Sequence, residues 1–216
     1  MFTVHALYCP NKPCFVSCIR DKRGINGVGS SNLMATNKRE IRDSYDNLGG
    51  RLYDLRYEEE QREKYETILA EVEVSEHEIV LDNGCGTGLL LEYLSTSAVG
   101  LDISSSLLSK ALARIQDVYD KHLIQGDAEN LPLRDHVFSR VFAITLIQNT
   151  PNPARALEEI SRVGYRNTLV VVTALKKVFS EEAFRHIIES AGFVIMNLIN
   201  DEKLSDIIAI LSLKLF

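Results

Sequence analysis

The 216-residue sequence has no surplus of positive charge. Its 24 Lys and Arg side chains stand against 30 Asp and Glu, a formal charge of −6. Proteins that hold nucleic acid chiefly by neutralising phosphates concentrate basic residues, so that class is disfavoured and no direct nucleic-acid patch is expected. No stretch approaches the ~18 uninterrupted apolar residues that a spanning helix needs, so no membrane span is expected. Cysteine is scarce, with four in all, and Cys9, Cys14 and Cys18 cluster near the start. They lack CxxC spacing and a nearby histidine, which argues against a zinc site. Three clustered thiols and one distant one do not make a disulfide framework, so a reducing, cytoplasmic setting is expected.

What is present divides unevenly. Residues 1–35 carry four basic groups and one acid, two of the five prolines, and the Gly- and Ser-rich tail GINGVGSSN. They read as a flexible leader preceding a single domain over 36–216, with Met34 as an alternative start. From residue 38 to 71 the chain is charged and helical in period, interrupted at Gly49-Gly50. Apolar runs then alternate with helical segments. Strands are expected at 78–83, 98–102, 122–126, 140–147 and 168–175, and helices over 88–96, from Ser104 or Ser105, from Asn152-Pro153 to Gly164, and from Ser180 to Gly192. The runs 193–199 and 206–213 are joined only by a loop and are expected to pair as an antiparallel hairpin. The fold class is therefore α/β, a doubly wound, seven-stranded, mostly parallel sheet with an antiparallel C-terminal hairpin. The open edge of the third strand, His122 to Gln125, is a place where a small activator protein could add a strand.

The most informative segment is the turn after the first strand, Asp82-Asn83-Gly84-Cys85-Gly86-Thr87-Gly88. Alternate glycines allow a sharp bend and a close ligand approach, and a helix N-terminus follows at once. A phosphate-binding loop would need Gly-Lys-Ser/Thr, but Gly88 is followed by Leu89-Leu90. The dinucleotide fingerprint would need glycine at 89 or 91, and both are leucine. The remaining pattern, acidic-x-G-x-G-x-G, resembles the first motif of the class I S-adenosylmethionine-dependent methyltransferases. Asp102 at the tip of the second strand and the segment GDAENLPL after the third extend the resemblance from about residue 40 to the end. The fourth-strand segment departs from it, with Arg140 where the family usually has aspartate.

The resemblance implies S-adenosylmethionine as cofactor and methyl transfer as the reaction. It implies cofactor contacts from Asp82, Gly84, Cys85, Gly86 and Gly88, from Asp102 to the ribose with Ile103 beside it, and from Asp127 and Ala128 to the adenine. Cys85 is expected to be a compact filler between glycines, not a nucleophile. SYDNLGGRLYD resembles a lid helix of the family, so residues 40–57 are expected to fold over the cofactor. Displacement at a sulfonium needs mainly an aligned acceptor, so little acid–base apparatus is expected. Candidate acceptor-side residues are Tyr45, Tyr53, Gln148, Asn149 and Lys176, with His136 a weaker candidate base in what reads as a surface turn. No metal is expected. Gln148-Asn149-Thr150-Pro151 departs from the Asn/Asp-Pro-Pro-aromatic text of the family's amide and adenine N-methylating members. The acceptor is expected to be a small or lipid-like molecule. The alternatives are a tRNA or translation-factor methyltransferase working with a small partner, and a cofactor-binding subunit without turnover.

Overall fold

A computed structural model describes residues 6–8, 38–43 and 50–213, with the backbone alone described for 6–8 and 50–57. Residues 38–43 are helical. The longer elements are β1 (Ala6–Tyr8), α1 (Gly50–Glu71), β2 (Ile79–Asn83), α2 (Leu89–Tyr93), β3 (Ser97–Asp102), α3 (Ser105–Ile115), β4 (Lys121–Gln125), β5 (Phe138–Ala143), α4 (Pro153–Val163), β6 (Gly164–Leu175), α5 (Glu181–Ser190), β7 (Phe193–Ile199) and β8 (Asp206–Leu213). The strands form one sheet in the order β1-β4-β3-β2-β5-β6-β8-β7. From β4 to β6 every neighbouring pair is parallel. β8 is antiparallel to both β6 and β7, so the returning strand of the expected hairpin inserts between β7 and the parallel block.

Strands buried on both faces explain the continuous apolar runs. Leu81, Val141, Val170 and Val172 point into one core with Leu157, Ile160, Phe184 and Ile188 from α4 and α5. Val80, Phe142 and Val171 point into the other with Ile68 from α1, Leu90 from α2 and Leu108 and Ala111 from α3. Side chains one residue apart thus serve opposite faces, as the two-residue strand period requires. The caps follow the sequence. Ser104, Asn152 and Ser180 accept from the third residue beyond each, and Pro153 occupies the first turn of α4.

Three expectations need correction. β5 ends at Ala143, and the apolar run continues as a turn in which Thr145 has φ 55° and Ile147–Asn149 form a 3₁₀ turn. Ile147 is fully buried there, so its apolar character marks burial without a strand. The helix expected over 88–96 is only Leu89–Tyr93, because Leu94 already has extended dihedrals. The edge of β4, expected to be open, is covered: Ala6 and Tyr8 from the leader pair antiparallel with Ile124 and Leu123. An unpaired strand edge is a liability, and here the chain's own first strand caps it.

Candidate functional site

β2, β3 and β4 run parallel in register, with Asn83 opposite Leu101 and Asp102 opposite Gln125. Their carboxyl ends therefore bring Asp82, Asp102 and, one turn past β4, Asp127 to one end of the sheet. The chain winds outward from β2 in one direction and from β5 in the other, and a doubly wound sheet leaves its crevice at that switch.

The glycine bend is shaped by its hydrogen bonds. The Gly84 and Cys85 N–H groups both donate to the Leu101 carbonyl, at 2.7 and 3.0 Å, and the Gly88 N–H donates to Cys85 O at 2.9 Å. Gly84, Gly86 and Gly88 have φ of 85°, 53° and 79°, the left-handed region that glycine enters without steric cost. A Cβ on Gly84 would come within 2.9 Å of Leu146 Cδ1. Asp102 is tied to the same bend: its Oδ2 accepts from Gly86 N and its Oδ1 from Ser104 N, each at 2.9 Å.

Two cavities meet at this bend, sharing Gly84, Gly86 and Ile144. The larger encloses about 680 Å³ of empty space, open solvent included. It brings Asp102, Ile103, Asp127 and Ala128 together with Lys38, Ile41, Glu129, Thr145 and Asn149. The smaller, about 330 Å³, is lined by Asp82, Cys85, Thr87, Leu89 and Gly86, and by Gln61 and Tyr65 of α1. Asp82 is almost fully buried, and its Oδ2 has no hydrogen-bond partner among the described residues. Burial, and secondarily the Asp102 charge, push its carboxyl up to about 8. The same two influences, joined by the charge of Asp82, push the Cys85 thiol well above its usual range. A thiol so held is not a thiolate at neutral pH, in keeping with a filler role.

Asp127 is anchored by the Glu129 N–H, which donates to its Oδ1 at 2.9 Å. Its Oδ2 lies 2.8 Å from Lys38 Nζ, which is also 2.6 Å from Glu129 Oε2. Lys38 and Glu129 were not singled out from sequence. The only hint was the position of Glu129 inside GDAENLPL, because the partner lysine comes from 91 residues away. Asn149 lines the larger cavity and donates to Thr145 O at 2.8 Å. Gln148 lines neither cavity, yet both its amide atoms are buried without a partner among the described residues.

Other candidates fall elsewhere. Lys176 lines neither cavity; its ammonium donates to Asp201 O at 2.6 Å, drawn there by the turn between β7 and β8. His136 lies before β5, at the opposite end of the strands, where its ring meets Gly164 O at 3.2 Å. Arg140 replaces the family's usual acid by pairing outward with Glu78 at 2.8 Å. Tyr45 lies outside the described residues, and Tyr53 lies in α1 at a position where only the backbone is described. Among the described residues, no group of three or more His, Cys, Asp or Glu is placed to hold a metal ion, and no helix is long and apolar enough to cross a membrane.

Residues 81–172, which include the bend and both following acids, match the family described as "Methyltransferase domain". A malonyl-[acyl-carrier protein] O-methyltransferase of Marinomonas sp. (strain MWYL1) is 31% identical over 145 residues, covering 65% of this chain and 53% of that protein. Magnesium protoporphyrin IX methyltransferase from Synechocystis PCC 6803, solved with bound SAH, superposes with a TM-score of 0.69 at 15% identity, covering 82% of this chain and all of that one. The methyltransferase in a complex with the Haloferax volcanii Trm112 activator gives 0.68 at 18% identity, covering 78% of this chain and 96% of that one. Over residues 81–172 the chain is thus similar to a methyltransferase domain, and its fold is that of solved S-adenosylmethionine-dependent methyltransferases. It spans about half the length of the curated relatives it matches.

Proposed function

We propose that this chain is an enzyme that moves a methyl group from S-adenosylmethionine to a small or lipid-like acceptor. The observation that carries the reading is the meeting of the two cavities at the glycine bend, with a carboxylate for each end of the nucleoside and an orphaned carboxyl beyond it. Asp102, oriented by the Gly86 and Ser104 N–H groups at the tip of β3, would take the ribose hydroxyls. Asp127 and Ala128 would take the adenine edge. Asp82 would face the ammonium of the amino-acid arm in the smaller chamber, where its Oδ2 lacks a partner. Gly84 leaves the space that a Cβ would fill against Leu146.

Bound S-adenosylmethionine would supply a sulfonium methyl that transfers without acid assistance to the leaving group. The chain's own contribution is alignment and exclusion of water, which can be worth several kcal/mol. Ile144 and Leu146, just past the end of β5 where the acceptor would enter, are apolar, and this favours a small or lipid-like acceptor over a nucleic acid. The covered β4 edge counts against a strand-adding activator there.

Calorimetric titration with S-adenosylmethionine and S-adenosylhomocysteine, with NAD as control, tests the cofactor assignment. Micromolar-class binding of the first two is expected, and equal affinity for NAD overturns the assignment. Screening a panel of small and lipid-like acceptors against a tRNA and protein panel tests the acceptor class. Turnover only on the second panel overturns it.

A further inference from the structure

Lys64 of α1 and Asp206 at the start of β8 are both fully buried, with Nζ 2.9 Å from Oδ2. A buried ion pair contributes little net stability, because desolvating two charges offsets their attraction, so its better-attested use is to specify one arrangement. The arrangement here centres on Thr145. That residue is β-branched yet has φ 55°, a conformation that surrounding contacts must enforce. Lys64 Nζ donates to Thr145 Oγ1 at 2.9 Å, and that hydroxyl donates to Asp206 Oδ2 at 3.0 Å. The Thr145 N–H donates to Thr173 Oγ1 at 2.8 Å, and the Thr173 hydroxyl donates to the same Asp206 oxygen at 2.6 Å. Thr145 O in turn accepts from Asn149 Nδ2. Every polar atom of the turn that touches the network has a partner.

We propose that Lys64 and Asp206 are positioning residues for the site. Through Thr145 they hold the 145–149 turn as one wall of the larger cavity. Through α1 they hold Gln61 and Tyr65, three residues before Lys64 and one after it on the same helix, as a wall of the smaller one. One buried pair thereby sets the relative placement of both chambers, using three segments that are distant in sequence. In its effect on ligand binding the proposal rests on the cofactor reading above; in its effect on the turn it does not.

The test uses the full chain with Lys64→Met/Asp206→Asn, which removes both charges together and keeps an acceptor for the two threonines, and with Thr173→Val, which deletes one link isosterically. Measured well below each variant's Tm, S-adenosylhomocysteine affinity should fall about tenfold in the double variant and roughly threefold in Thr173→Val. Amide exchange at Thr145 to Asn149 should quicken about tenfold, while exchange at Leu81 and Asp82 stays unchanged. Folded variants with wild-type exchange at that turn and wild-type affinity overturn the proposal. If the double variant does not fold, Thr173→Val alone decides. If the wild type binds no S-adenosylhomocysteine, the cofactor reading fails and the exchange result still decides the positioning role.

Discussion

At the tips of β2, β3 and β4 the cavity is made from backbone amides and short acids that lie close together in the chain. At the tips of β5 and β6 it is made from a strained turn that residues 81 positions before it and 61 positions after it hold in place. The first region works by local geometry: a glycine bend can take one shape, and Asp102 completes it from the neighbouring strand. The second works by cross-linking, because Thr145 has no local reason to adopt a left-handed backbone. Recognition of a common cofactor suits the rigid, local construction. On the proposed reading the acceptor would approach from the second region, which distant residues can reshape.

The sharpest way to break the first region is Gly84→Val. Its Cβ would meet Leu146 and its φ of 85° would be strained, at a cost of about 2–3 kcal/mol. Thermal unfolding should show a Tm lower by roughly 5–10 °C, and calorimetry should show no S-adenosylhomocysteine binding. Next comes Asp102→Ala, expected to lose about 1–3 kcal/mol of cofactor affinity by leaving hydroxyls unpaired. Unchanged affinity would remove Asp102 from the site.

Asp82 distinguishes the regions by pH. Its folded carboxyl titrates near 8 and its unfolded one near 4, so the folded state binds the extra proton between those values. Stability from this group is therefore greatest below pH 4 and declines as pH rises toward 8, by at most about 1.4 kcal/mol per pH unit. Asp82→Asn should flatten that part of the Tm–pH curve, whereas Thr173→Val should not. A curve for Asp82→Asn that runs parallel to wild type would show that this carboxyl is not the group responsible. The smallest effect is expected from Lys38→Met. The ammonium and an adenine amino group would share Asp127, and the pair is part-exposed, so S-adenosylhomocysteine affinity should rise by no more than about fivefold. Weaker binding would instead make Lys38 a contact to the cofactor.

The strand tips and the glycine bend were legible because a strand–turn–helix encodes its own chemistry within some ten residues. The elimination of phosphate-loop and dinucleotide patterns needed only the identity of Leu89 and Leu91. The turn at 145–149 was not legible: Ile144, Leu146 and Ile147 read as strand, since an apolar run reports burial and not dihedral angle. Lys64 was hidden among the charges of α1, where a solvated lysine and a buried one look alike until the opposite carboxylate is placed. Lys176 erred the other way, a polar residue after a strand end that the neighbouring turn pulls aside. The leader concealed β1, because Pro10 and Pro13 break the apolar run just after Ala6–Tyr8, three residues that pair only when β4 offers an edge.

By itself the amino-acid sequence determined the alternating α/β architecture, the order of acids along it and the bend between them, because each depends on contacts within one strand–helix unit. Only the tertiary structure decided which end of the sheet gains a second wall, that Oδ2 of Asp82 stands buried without a partner among the described residues, and that one lysine and one aspartate meet at Thr145 of the far turn. Those outcomes depend on burial and on partners more than a hundred residues apart, and neither is a property that a residue carries in isolation.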